Sequence, residues 1–72
     1  MNTLSKLESK LQNESIIYDM LEDIGYGERI YVYGFYIECE NGYFVIYENT
    51  GDDMKEIYET KQAKRVINFI LK

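Results

Sequence analysis

Apolar residues recur along this chain with two different periods. Leu4, Leu7, Leu11, Tyr18 and Leu21 fall on a heptad-like stripe, widened by Ile17, Met20 and Ile24. That spacing predicts one long amphipathic helix up to Gly25, its natural stop. Ser5-Lys6-Leu7-Glu8 fits a capping box, with Asn2 or Thr3 as other caps. The stripe is weakest at Gln12-Asn13-Glu14-Ser15, where it meets Glu14. A break or kink there, with a restart at Asn13 or Ser15, is compatible with the pattern.

Gly25-Tyr26-Gly27-Glu28 reads as a loop, after which the period becomes two. Residues 30–40 are rich in β-branched and aromatic side chains, with Gly34 marking a bulge or bend. Asn41-Gly42 is a strong hairpin signal, because a type I′ turn needs positive φ at both positions. Residues 43–48 form the return strand and residues 54–59 a third. Between them, Asn49-Thr50-Gly51-Asp52-Asp53 is a turn. The last element is a helix capped by Thr60. Ala63, Val66, Ile67 and Ile70 point inward, and Lys61, Lys64, Arg65 and Asn68 point outward. The expected fold is a single α+β domain over residues 1–72. Its order is helix, three-stranded antiparallel meander, helix (αβββα), with both helices on one sheet face.

A two-residue turn at Asn41-Gly42 also sets a register. Cys39 faces Phe44, Glu38 faces Val45, Ile37 faces Ile46, and Tyr36 faces Tyr47. Alternation then gives a core face of Phe35, Ile37, Cys39, Phe44 and Ile46. The other face collects Tyr36, Glu38, Glu40, Tyr43, Val45 and Tyr47. Tyrosines among carboxylates suit a one-sided sheet through cross-strand pairing. They equally suit a contact surface for a basic partner.

Charge sharpens that choice. From Glu14 to Glu59 there are twelve acids against Arg29 and Lys55, a balance of −10. The last twelve residues carry +4, and the overall charge is −5. Asp19, Glu22, Asp23 and Glu28 form an acidic stretch, two of them in the last turn of the expected first helix, where the macrodipole disfavours acids. Partner recognition would explain their presence. The candidate partner-binding residues are therefore Asp19, Glu22, Asp23, Glu28, Tyr36, Glu38, Glu40, Tyr43 and Tyr47. The basic last helix reads as a solvated face, because the acidic remainder repels phosphate. Direct nucleic-acid contact is accordingly not expected.

Catalytic chemistry finds few groups. There is no histidine, so the commonest general base and metal ligand is missing. Cys39 is alone, which excludes an internal disulfide and suggests a small buried hydrophobe. Glu38 and Glu40 share a strand face but have little cleft to desolvate them. The turn of residues 49–53 lacks the length and bidentate glutamate of a calcium loop. No cofactor, metal or enzymatic activity is expected. The N-terminal residues lack an apolar signal region and no stretch reaches membrane-span length. A cytoplasmic protein with no membrane partner is the expectation. A homodimer through the first helix or an edge strand is an alternative use of these surfaces.

The block Tyr33-Gly34-Phe35-Tyr36-Ile37-Glu38, then Asn41-Gly42-Tyr43-Phe44-Val45-Ile46-Tyr47-Glu48, a turn and an amphipathic helix, resembles two groups of small proteins. One is the immunity proteins of bacterial polymorphic toxin systems. The other is the phage-encoded anti-CRISPR and anti-defence proteins, among which a small acidic DNA mimic with helix–meander–helix order is found. The resemblance implies a non-enzymatic inhibitor of a basic protein partner, a defence nuclease or a toxin. It assigns no residue by motif.

Overall fold

The apolar stripe of the N-terminal segment does not stay helical. In the computed structural model, which describes residues 4–23, 27–49, 51 and 53–71, helix α1 spans Leu4–Asn13 and buries Leu4, Leu7 and Leu11. A Schellman motif ends it. The Ile16 N–H donates to the Leu11 carbonyl at 2.9 Å, and the Ser15 N–H donates to the Gln12 carbonyl at 3.1 Å. Ser15 takes the left-handed conformation, φ +56°. Ile16 then enters the core beside Leu11. Tyr18 folds back on α1, donating its hydroxyl to Glu8 and accepting from Gln12, both at 3.0 Å.

Residues beyond this stop form strand β1, Asp19–Asp23, which pairs antiparallel with β2, Gly27–Val32. The expected helix up to Gly25 is thus overturned. Ile16, Ile17 and Tyr18 are weak helix formers and good strand formers, a preference that the stripe conceals. Ile17 is 89% exposed, so its place on the stripe had no packing behind it. Gly25, the expected stop, and Asn2 and Thr3, the expected caps, lie outside the described residues.

A second reversal splits residues 30–40 into β2 and β3, Phe35–Glu40. Val32 pairs with Phe35, which leaves a two-residue turn at Tyr33-Gly34. Both residues have positive φ, +51° and +85°, as do Asn41 and Gly42 in the next turn. Gly34 is therefore a turn residue and not a bulge. Strands β4, Tyr43–Asn49, and β5, Met54–Thr60, complete the sheet. Its order is β1-β2-β3-β4-β5, every pair antiparallel, with an irregularity in the β4–β5 register at Ile46/Tyr47. The three-stranded αβββα expectation becomes a five-stranded αβββββα fold, still α+β.

Helix α2, Ala63–Ile70, packs beside α1 on the same sheet face. Leu7, Leu11, Val66, Ile67 and Ile70 meet Ile30, Ile37, Phe44 and Ile46 there. Phe69 stacks on Tyr58 at 4.7 Å and meets Phe35 edge-on at 5.7 Å, pinning α2 to the sheet. The N-cap is Gln62, with no side-chain cap. Thr60, expected as the cap, ends β5 instead. Its buried hydroxyl accepts from the Gln62 N–H at 3.2 Å. No helix among the described residues is long and apolar enough to cross a membrane.

Ser15 occupies a position that glycine fills without strain. Ser15→Gly should raise stability by up to about 1 kcal/mol, read as a higher thermal midpoint. An unchanged or lower midpoint would mean that the motif gains nothing from relieving that residue.

Candidate functional site

The sheet has a helix-covered face and an open one. Register places the open-face residues strand by strand. Asp19 on β1 lies opposite Tyr31 on β2, which lies opposite Tyr36 on β3. Glu38 faces Val45, Tyr36 faces Tyr47, and Glu40 faces Tyr43. On β5, Glu59 lies opposite Val45 and Glu56 opposite Tyr47. The register expected from Asn41-Gly42 is the one observed. Among the described residues the face carries Asp19, Glu38, Glu40, Glu56 and Glu59 against one strand cation, Arg29.

These side chains hold one another in place. Arg29 pairs with Glu38 at 3.2 Å, both largely buried. Tyr31 and Tyr36 meet ring to ring at 4.8 Å. The Tyr47 hydroxyl donates to Glu40 Oε2 at 2.6 Å. Lys61 Nζ lies 5.2 Å from the centre of the Tyr43 ring at the edge of the face. Val45 is 3% exposed although no helix covers it. Its cross-strand neighbours Glu38 and Glu59, and Tyr43 and Tyr47 along its own strand, enclose it. The face is a small ordered layer with an apolar centre, unlike an ordinary solvated surface.

Electrostatics mark the same place. The hydrogen bond to Glu40 holds the Tyr47 phenol well above its ordinary pKa, helped by burial and then by the charges of Glu40, Glu38 and Glu56. The folded state therefore favours the protonated phenol. Stability from this contact is complete below the ordinary tyrosine pKa of about 10 and declines as pH rises above it. The thermal midpoint of the parent should fall above that pH more steeply than that of Tyr47→Phe. Parallel curves for the two proteins would show that the Glu40 contact is not formed in solution.

Not every expected site residue joins this face. Asp19, Tyr36, Glu38, Glu40, Tyr43 and Tyr47 do. Glu22 and Glu28 pair across β1–β2 on the opposite side, both exposed. Asp23 pairs with Gly27 through the backbone, and its side chain lies outside the described residues. With no helix at residues 19–23, the macrodipole argument for these acids falls. What replaces it is a like-charge cross-strand pair, Glu22 and Glu28, which weakens its hairpin. Arg29, Tyr31, Glu56 and Glu59 were missed. Extending the alternation backward through a turn at Tyr33-Gly34 would have found Arg29 and Tyr31.

Other chemistry is sparse. Cys39 points to the helix side, and burial pushes its thiol up, away from the nucleophilic thiolate. Glu38 and Glu40 are each engaged, one by Arg29 and the other by Tyr47. No group of three or more His, Cys, Asp or Glu suited to a metal occurs among the described residues. Thr50 and Asp52 of the oxygen-rich turn lie outside them.

No family model, curated protein or solved structure matches the chain.

Proposed function

We propose that this chain is a non-enzymatic inhibitor whose open sheet face occupies a basic, nucleic-acid-binding surface of another protein. The setting we propose is a bacterial cytoplasm, with a phage-encoded chain acting on a defence protein as a DNA mimic, in the manner of anti-CRISPR proteins. The observation that carries the reading is the open face itself. Carboxylates on β1, β3 and β5 surround tyrosines of β2, β3 and β4 and a buried Val45. The acids steer a basic partner and discriminate against acidic ones. The tyrosines provide contact area at low entropic cost, since the Tyr31–Tyr36 contact and the Tyr47–Glu40 bond already order their rings. A preorganised face of this kind competes with phosphate for the same lysines and arginines.

The test is competition. A host defence nuclease captured on the immobilised chain should be displaced by duplex DNA and released at about 0.5 M salt. Asp19→Lys, Glu56→Lys and Glu59→Lys together should weaken capture more than about 100-fold, each reversal acting on rate and affinity. Glu22→Lys with Glu28→Lys, on the other side of the sheet, should weaken it only slightly. Equal capture by the triple variant and the parent would sink the reading. So would a dimer in solution that buries the tyrosine face.

A further inference from the structure

The cations from the two ends of the chain converge. Lys6 and Lys10 stand one turn apart on α1, about 6 Å along its axis. Lys61 precedes Gln62, the N-cap of α2, and Lys64 lies in the first turn. Because α1 packs on α2, all four line one groove of about 470 Å³, with Ser9 and Asn13 beside them. A second concavity of about 460 Å³ adjoins it. The two share Gln62 and Lys64, and the second adds Arg65 and the stacked pair Tyr58 and Phe69. Among the described residues, no carboxylate side chain lines either one. Like charges around one groove repel, and the first turn of α2 contains no acidic residue.

We infer that the adjoining concavities form one binding site for single-stranded nucleic acid. Phosphates run along Lys6, Lys10, Lys64 and Arg65, within the field of Lys61, and a base packs at the Tyr58–Phe69 end. A single strand fits better than a duplex because an aromatic pair inside a concavity is reached only by an unstacked base. The net charge of −5 had argued against such contact. Geometry reduces that objection. Lys6, Lys10, Lys64 and Arg65 stand on the helix layer and the open-face carboxylates on the other side of the sheet, so a Debye length of about 8 Å at physiological salt weakens the field between them. Lys61, 5.2 Å from the Tyr43 ring, borders both.

Fluorescence anisotropy of a labelled oligothymidylate tests the site, titrated with the full chain at low salt. Four to five phosphate contacts give a slope of log affinity against log salt of about −3. Lys6→Glu, Lys10→Glu and Lys64→Glu together should lower affinity at least about 30-fold and flatten the slope to about −1, with the circular dichroism spectrum unchanged. Tyr58→Leu should weaken oligonucleotide binding several-fold but leave inorganic polyphosphate binding unaltered. Asp19→Lys with Glu56→Lys and Glu59→Lys should bind the oligonucleotide as well as the parent does, so this site and the open face stand or fall separately. The inference is overturned if the parent gives no anisotropy change, if a duplex of the same sequence binds more tightly, or if Tyr58→Leu binds the oligonucleotide as tightly as the parent does.

Discussion

Phe44→Ala should remove a large share of this domain's stability. Phe44 has no exposed surface and sits on β4 between Cys39 and Thr60, inside the cluster that both helices cover. Replacing it by alanine removes the transfer energy of the ring and leaves a cavity, about 3–5 kcal/mol together. A domain of this length has about 4–11 kcal/mol in total. The loss is thus between about a quarter and all of the stability. Urea unfolding should show it as a midpoint lowered by about 3 M or more, since small domains have slopes near 1 kcal/mol/M. Phe44→Leu refills most of the volume and should cost under about 1.5 kcal/mol. If the alanine variant loses less than the leucine variant, the helix-covered cluster is not the core that holds this fold.

Val45→Asp should be nearly as damaging, for an electrostatic reason. Val45 is buried on the open face, with Glu38 opposite on β3 and Glu59 opposite on β5. An introduced carboxylate would be desolvated and flanked by two acids, a cost of about 3–5 kcal/mol near neutral pH. The introduced carboxyl would have a raised pKa, so stability lost at neutral pH should return as pH falls toward that value. Val45→Lys provides the contrast. Its ammonium can reach solvent along a flexible stem and lies between two carboxylates, so about 1–2 kcal/mol is expected. Thermal midpoints at pH 7 and pH 4 check both. Equal destabilisation by aspartate and lysine would show that the glutamates do not set the local potential.

The parts of this fold visible in the sequence are those with strong local chemistry. Asn41-Gly42 is a pair that tolerates left-handed backbone, and it fixed the β3–β4 register and the two faces of that hairpin. The α2 pattern was equally clear, because Val66, Ile67 and Ile70 repeat at helical spacing. The hidden parts turn on residues that break their usual habits. Ser15 and Tyr33 both adopt positive φ, which neither side chain favours; the break expected at residues 12–15 is there, but the pattern points to a helix restarting after it. Without those two reversals, residues 17–24 continue a helical stripe and residues 30–40 a single strand. The open face was accordingly legible only at its β3–β4 centre. Its flanks, Tyr31 and Arg29 on one side and Glu56 and Glu59 on the other, depended on strand partners that no local signal names.

Every strand in this sheet is hydrogen-bonded to its neighbour in the chain. That order has a kinetic consequence. Each hairpin closes over a short loop, and the two-residue turns at Tyr33-Gly34 and Asn41-Gly42 make the central closures cheap in entropy. The meander can zip outward from β3 by local steps, which favours rapid folding. Only the α1–α2 contact requires the two ends of the chain to meet. The hairpins of the open face need only local closures, whereas the groove between the helices exists only where the two ends of the chain have met.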